Sequence, residues 1–183
     1  MIRNLFHDIS NGSGDITNVV IEVPSGTRNK YEYDKNELVF KLDRVLFTPF
    51  HYPIDYGFVP RTWYDDEDPL DAMIWMRFPT FPGCVIEGKI IGALRMEDDK
   101  GIDDKLFLVP TGDPSFKDYE SIIDVPSAFL DEIAHFFQRY KELEGKTVKI
   151  HGWFEKDEAL KIIEHGRDLY LKKFGFEEKR GFI

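Results

Sequence analysis

The chain has 183 residues, of which 34 are acidic and 24 basic, so its formal net charge is −10 at pH 7. This charge opposes a general nucleic-acid binder, which needs a basic surface to meet phosphates. The single cysteine, Cys84, excludes an internal disulfide framework and a cysteine-based zinc site, and it suits a reducing cytosol. Apolar runs fall far short of the ~20 residues of a membrane span, and the N-terminus lacks a secretory signal pattern. We therefore expect one cytoplasmic globular domain with no membrane partner.

Short β-rich segments, separated by proline and glycine, occupy most of the chain. Several alternate apolar and polar residues, which is typical of strands with one buried face. The predicted strands are Val19–Val23, Lys30–Tyr33, Leu38–Leu46, Ala72–Met76, Val85–Met96, Lys105–Val109 and Thr147–Phe154.

Two helices are predicted, both late in the chain. The first, Ala128–Leu143, begins after a proline and ends before Gly145. Its apolar stripe is wider than one core-facing side needs, so it is either deeply buried or in contact with another subunit. The second has Asp157 as its predicted N-cap and ends at Gly175. Many short strands before two late helices predict a small β-barrel, closed or partly open, with helices packed outside.

The strongest local feature is an acidic segment at residues 65–71, DDEDPLD, with five acids in seven residues. Pro69 disfavours a helix and biases Asp68 toward extended geometry, in which Asp66 and Asp68 point to the same side. Asp71 lies where the chain enters an apolar run. Converging carboxylates raise each other's pKa unless a hard cation such as Mg²⁺ neutralises them. A solvated acidic turn is the competing interpretation.

A second acidic cluster, residues 97–105, looks by itself like an ordinary hairpin loop. Its Asp103 and Lys105 alternate into a predicted strand, so we expect them to share a face. Arg44 lies among apolar neighbours, where a guanidinium needs a partner. For Arg44 alone, a cross-strand salt bridge is the simpler explanation.

Further charged residues lie on other predicted elements. By strand parity Lys30 and Glu32 point the same way, and Tyr140 and Lys141 close the first helix. The chain offers carboxylates from separate segments together with isolated Lys, Arg and Tyr, and it shows no recognisable protein nucleophile. These residue types form one coherent set. It is the set that metal-assisted phosphoryl transfer to water requires.

An ordered series of motifs resembles the soluble family I inorganic pyrophosphatases of the prokaryotic type. Residues 66–71, DEDPLD, fit the family signature D-x-D-P-x-D. One such match is weak, but the resemblance covers roughly residues 4–154 in the family's order and spacing. The other matching segments are EVP at 22–24, NKYE at 29–32, DR at 43–44, YPIDYG at 52–57, PG at 82–83, MED at 96–98, DDK at 103–105 and HFFQRYK at 135–141.

The resemblance implies a role for each matching residue. Asp68 resembles the general base that takes a proton from the attacking water. The implied metal ligands are Asp66, Asp71, Asp103, Asp98, Glu22 and Glu32, the last acting through water. The implied phosphate-contacting or supporting residues are Lys30, Arg44, Tyr56, Lys105, Tyr140 and Lys141. The implied cofactor is Mg²⁺, with several ions in each active site.

The resemblance also implies a fold and an activity. The fold is mainly β (α+β), a five-stranded OB-like β-barrel with two helices packed outside, in a single catalytic domain over 1–183 with an irregular tail at 176–183. The activity is Mg²⁺-dependent hydrolysis of inorganic pyrophosphate to two orthophosphates. The protein is expected to be a homohexamer, built as paired trimers, in the cytoplasm.

Two other hypotheses stay open at this point. One is a non-enzymatic OB-like module that binds nucleic acid or a partner, with Tyr31, Tyr33, Tyr56 and Trp63 as stacking platforms. Net charge opposes this module, and it leaves the acidic clusters unexplained. The other is a phosphatase that acts on organic phosphates.

Overall fold

A computed structural model describes residues 3–175, and the predicted irregular tail lies outside the described residues. The strands are β1 (Ile16–Val23), β2 (Asn29–Asp34), β3 (Val39–Val45), β4 (Asp55–Phe58), β5 (Asp71–Ile74), β6 (Val85–Asp98), β7 (Gly101–Pro110) and β8 (Lys149–Glu155). The α-helices are α1 (Ser127–Arg139) and α2 (Lys156–Phe174).

Five strands close into a ring in the order β1, β4, β5, β7 and β6, because β6 pairs back with β1. The β5–β7 pairing is parallel and the other pairings of the ring are antiparallel. β8 joins β6 from outside the ring, and β2 with β3 forms a separate hairpin. The predicted five-stranded barrel with two outer helices is confirmed. The ring is uneven, since β6 has 14 residues and β4 has four.

Two main clusters of buried apolar side chains hold the layers together. Successive residues of β7 point to opposite faces, so Phe107 packs with Ile133 of α1 while Leu106 packs with Ile163 of α2. Each fully buried side chain of this size contributes about 1.5–3 kcal/mol. Both helices are therefore fixed to the barrel through opposite faces of the same strand.

The strand predictions missed one strand, β4, and began β1 three residues and β7 four residues too late. β4 lies next to Pro53, and all four of its residues are buried, so it has no alternation to recognise. β7 begins at Gly101, four residues before its predicted start, because it pairs with β6 out to Asp98. The second acidic cluster is therefore mostly strand, and only residues 99–100 form the turn.

The acidic segment is a turn rather than the extended chain that we predicted. Glu67 has a φ of 66°, in the left-handed region, and its N–H donates to the carbonyl of Tyr64 at 3.1 Å. The N–H of Tyr64 donates to the carbonyl of Asp68 at 2.8 Å. Local hydrogen bonds thus outweigh the extended preference that Pro69 gives to the residue before it.

The end of α1 and the start of α2 differ from those predicted, whereas α2 stops at Gly175 as predicted. α1 ends at Arg139, with Tyr140 as its C-cap, and a short 3₁₀ turn follows before Gly145. α2 begins at Lys156, so Asp157 is in its first turn, where a carboxylate faces the positive end of the helix dipole. Among residues 3–175, no helix is both long and apolar enough to cross a membrane.

The wide apolar stripe predicted for the first helix is wrong. Ile133, Phe136 and Phe137 are buried at the three- and four-residue spacing of a single face. The other face carries exposed polar residues such as Glu132 and Arg139. α1 is therefore an ordinary amphipathic helix, and its composition gives no argument for a second subunit.

Candidate active site

One cavity of about 300 Å³ opens where the β2–β3 hairpin, the acidic turn and the β6–β7 hairpin meet the end of α1. All thirteen residues to which the family resemblance assigned roles line this cavity. They are Glu22, Lys30, Glu32, Arg44, Tyr56, Asp66, Asp68, Asp71, Asp98, Asp103, Lys105, Tyr140 and Lys141. These residues come from separate strands and loops, so the fold alone brings them together.

The floor of the cavity is set by the parallel pairing of β5 and β7. Asp71, the first residue of β5, lies opposite Lys105 of β7. The Lys105 Nζ is 2.5 Å from Asp71 Oδ2 and 2.9 Å from Asp103 Oδ1. Tyr56 of β4 donates its hydroxyl hydrogen bond to Asp71 and accepts one from Lys105 at 3.1 Å. The prediction that Asp103 and Lys105 share a face is confirmed.

The Lys105 ammonium is the positive centre of this floor. Its side chain is only 2% exposed. Burial opposes its charge, but Asp103 and Asp71 outweigh burial and hold the pKa of Lys105 well above its usual value. Lys105 therefore remains a cation at the base of the cavity.

Three carboxylates around this floor are harder to ionise than ordinary carboxylates, mainly because they are buried. Burial, with the charge of Asp71, raises the pKa of Glu22 to about 8, although the N–H of Tyr33 opposes the shift with a hydrogen bond of 2.7 Å. Burial also raises the pKa of Asp103 to about 6. The pKa of Asp66 is raised by burial first and then by its acidic neighbours. Additional positive charge would stabilise the ionised form of all three.

A second group of cations lines the opposite wall. Lys30 contacts Glu32, as parity predicted, and its Nζ lies 3.3 Å from Asp43 Oδ2. The Lys141 Nζ donates to Asp98 Oδ2 at 2.9 Å. Burial alone would raise the pKa of Asp98, but the N–H of Lys100 and the ammonium of Lys141 outweigh burial and lower it.

Arg44 has different partners from the cross-strand acid that we considered. The residue opposite it on β2 is Lys30, which cannot pair with it. Its Nη1 donates to the adjacent Asp43 at 2.5 Å, and its Nε donates to Glu144 at 3.0 Å. Glu144 lies in the 3₁₀ turn after α1, so this ion pair joins the β2–β3 hairpin to the helix end.

One close neighbour of Asp68 was not predicted from the sequence. Lys35, at the tip of the β2–β3 hairpin, contacts the carboxylate of Asp68 and lies 5.5 Å above the Trp63 ring. Parity cannot reveal this pair, because the contact depends on how the hairpin folds over the barrel. Lys100 and Lys146 were also missed as residues of the cavity rim.

The proposed stacking platforms of the nucleic-acid hypothesis are largely inaccessible. Tyr33 and Tyr56 are buried. Trp63 is half-buried, and the ammonium of Lys173 lies 3.8 Å from its ring centroid. These rings do not offer the open faces that bases need.

The donor set fits a hard divalent cation. Its side chains offer carboxylate oxygens, which Mg²⁺ and similar ions prefer. A bound cation would favour the ionised form of Glu22, Asp66 and Asp103, whose pKa values burial raises. Among residues 3–175, no three His, Cys, Asp or Glu side chains are already grouped closely enough to hold a metal. The reason lies in the ion pairs, since Lys105 occupies the position between Asp71 and Asp103.

A small barrel with carboxylates facing Lys and Arg across one cavity is typical of proteins that bind phosphates together with metal ions. Comparison with known proteins identifies the family within this class. The family model for inorganic pyrophosphatase matches residues 19–171, and this chain belongs to that family, whose members need a divalent metal.

Individual relatives agree with the family match. The inorganic pyrophosphatase of Haloferax volcanii is 47% identical over 174 residues, which cover 93% of this chain and 98% of that protein. The inorganic pyrophosphatase of Methanosarcina mazei is 50% identical over 155 residues, with coverage of 85% and 92%. The crystal structure of inorganic pyrophosphatase from Thermus thermophilus superimposes with a TM-score of 0.89 at 41% identity, covering 92% of this chain and 99% of that one. The OB-like fold of the barrel is thereby established.

Proposed function

We propose that this protein hydrolyses inorganic pyrophosphate to two orthophosphates with Mg²⁺ as its cofactor. The observation that carries the proposal is one cavity in which carboxylates and cations face each other. Pyrophosphate is a polyanion, and a protein of net charge −10 can bind it only where local positive charge outweighs the overall field. Lysine, arginine and metal ions together supply that charge.

The metal ligands in this proposal are Asp66, Asp71, Asp103 and Glu22 around the floor, with Asp98 and Glu32 farther out. When bound, divalent cations neutralise phosphate oxygens and lower the pKa of a coordinated water. The ammonium of Lys105 would have to share or yield its place between Asp71 and Asp103, which its flexible stem permits.

Asp68 is the proposed general base. Its side chain is 53% exposed at the cavity mouth, so its carboxylate can reach a water in the cavity. An ionised carboxylate can accept the proton of that water as the water attacks phosphorus. Lys35 contacts this carboxylate and would fix its direction.

The cationic side chains and the tyrosine hydroxyls are proposed to divide between the two phosphates. Arg44, Lys141 and Tyr140 would hold the departing phosphate, since they lie together where α1 ends. Lys30 and Tyr56 would hold the attacked phosphate, with Lys105 in support. Placing both phosphates beforehand removes much of the entropic cost of the reaction.

A comparison of substrates tests the proposed function. We would measure orthophosphate release at saturating Mg²⁺ from pyrophosphate, from a nucleoside triphosphate and from a simple phosphomonoester at equal concentrations. We expect release from pyrophosphate to be much the fastest, because the cavity of about 300 Å³ has room for two phosphates and their ions. Equal or faster release from the phosphomonoester would favour the organic phosphatase, and no release from any of the three would refute an enzyme.

Arg44→Lys is expected to weaken substrate binding although it preserves charge. A planar guanidinium can face a phosphate with two N–H groups while keeping its Nε on Glu144, and an ammonium cannot do both. We expect the KM for pyrophosphate to rise about 10-fold, as for the loss of one charged hydrogen bond. Arg77→Lys is the matched control, since its Nε also donates to a carboxylate, 2.7 Å away, outside the cavity. An unchanged KM and turnover in Arg44→Lys would make Arg44 a structural salt-bridge residue.

We further propose that the chain acts as one catalytic domain, in the cytoplasm, and assembles as a hexamer. Support comes from large apolar side chains that are exposed on this chain. Phe47, just after β3, is 61% exposed, and Leu143, in the 3₁₀ turn after α1, is 63% exposed. Light scattering at micromolar concentration should give six times the 21.4 kDa mass of one chain. A monomer under these conditions would contradict the hexamer and leave the proposed chemistry intact.

A further inference from the structure

Three residues outside the cavity lining form a polar network behind it, centred on a buried carboxylate. Asp104 has a fully buried carboxylate, with 0% of its side chain exposed. Arg95 approaches it as a fork, with Nε 2.7 Å from Oδ1 and Nη2 2.8 Å from Oδ2. The hydroxyl of Tyr64 donates to Oδ2 at 2.7 Å. The Arg95 side chain is 29% exposed, but burial of the Asp104 carboxylate is costly even when it is paired, so the position of the network in the fold needs an explanation other than net stability.

The network joins the acidic turn to β7. Tyr64 is the residue immediately before that turn, and its ring is buried. Asp104 lies between Asp103 and Lys105 on β7, and by strand parity it points away from the cavity that they face. Arg95 is its direct partner across the β6–β7 pairing. A hydrogen bond on the far side of the sheet therefore fixes one end of the turn to the strand that carries Asp103.

The turn needs such an anchor because its middle is exposed. Asp65, Glu67 and Asp68 are all exposed, so little packing holds them. At the far end, Asp71 is held by the sheet. At the near end, Tyr64 is held through Asp104. Asp66 lies between these two anchors, and its distance from Asp103 depends on both.

We propose that Arg95, Asp104 and Tyr64 are positioning residues that set the distance between Asp66 and Asp103 and so preorganise the cavity for divalent cations. The inference rests on the proposed function, and it extends to three residues that touch neither the cation nor the substrate. Supporting contacts of this kind orient ligands and commonly change metal affinity when they are removed. Loosening the anchor would widen the range of Asp66–Asp103 distances, so the cation would have to restore the geometry on binding.

Tyr64→Phe tests this inference because it removes one hydroxyl and keeps the buried ring. The measurement is calorimetric titration of the metal-free, substrate-free protein with Mg²⁺, with Tm recorded in EDTA. We expect the Kd for Mg²⁺ to rise about 2–10-fold, the equivalent of one hydrogen bond. Turnover at saturating Mg²⁺ should stay within about twofold of wild type, since the metal restores the geometry once bound. Arg95→Lys, which loses the fork but keeps the charge, should shift the Kd in the same direction.

Tyr31→Phe is the matched control, because its hydroxyl accepts a hydrogen bond of 2.9 Å from Asn29 away from the acidic turn. This variant should leave the Kd for Mg²⁺ unchanged. A lower Tm with an unchanged Kd in Tyr64→Phe would overturn the inference and make the network purely structural, whatever Arg95→Lys does. An equal rise in Kd in the control would overturn it too. A wild-type protein that binds no Mg²⁺ would instead refute the proposed function on which the inference depends.

Discussion

Asp71→Asn should lower pyrophosphate turnover by at least about 10²–10³-fold, the range for loss of one preorganised charged group in an active site. Asp71 contacts several groups of the cavity floor. It accepts from Tyr56 and from Lys105. Burial raises the pKa of Glu22, Asp66 and Asp103, and the charge of Asp71 adds to each rise. An amide keeps the shape of this side chain but cannot supply the anionic oxygen that a divalent cation prefers.

The same variant should remain folded. Lys105 keeps Asp103 as a partner, and the remaining carboxylates lose a repelling neighbour, so the two effects on the free energy of unfolding oppose each other. We expect the Tm in EDTA to stay close to that of wild type. Asp118→Asn, an exposed position outside the cavity lining, controls for the change in net charge. Near-normal turnover of Asp71→Asn at saturating Mg²⁺ would exclude Asp71 as a ligand.

Asp68→Asn should lower turnover by about 10²–10⁴-fold, the contribution of a general base. Because the proposed role is to accept a proton, the Mg²⁺ concentration for half-maximal activity should change far less than turnover does. The measurement is a full Mg²⁺ titration of activity, carried to saturation. A variant that needs more Mg²⁺ and then reaches wild-type turnover would make Asp68 a metal ligand instead.

The acidic turn provides a matched control for this experiment. Asp65 lies on the same turn, three residues from Asp68, but outside the cavity lining, and it faces His165 at 3.4 Å. Asp65→Asn makes the same chemical change on the same backbone. It should retain turnover within about twofold of wild type, as is usual for surface substitutions away from a site. An equal loss in both variants would show that the turn, rather than the Asp68 carboxylate, is what the reaction needs.

Local patterns predicted most of the strands, whereas the resemblance to the pyrophosphatase family grouped the candidate residues. Alternation identified some strands and β-rich composition the others, and parity correctly placed Asp103 with Lys105 and Lys30 with Glu32. β4 was missed because both of its faces are buried, which removes the alternation. Closure of the ring through the β1–β6 pairing was beyond such patterns, since it joins strands far apart in the chain.

What the sequence could not predict are contacts that depend on tertiary placement. Lys35 reaches Asp68, and Glu144 reaches Arg44 across 100 residues of chain. The apolar stripe of α1 was overestimated because residues after Arg139 were counted as helical, although the chain leaves the helix there. Leaving the helix at this point is what allows Tyr140 and Lys141 to line the cavity.

The most direct test of the proposed function is orthophosphate release from pyrophosphate by protein freed of metal with EDTA and then supplied with Mg²⁺. Acidic side chains outnumber lysines and arginine in the lining of the cavity, so the metal-free protein should not bind the polyanion productively. We predict no release above background in EDTA, and two orthophosphates per pyrophosphate once Mg²⁺ is restored. Undiminished release in EDTA, or none after Mg²⁺ is added, would contradict metal-dependent pyrophosphate hydrolysis at this site.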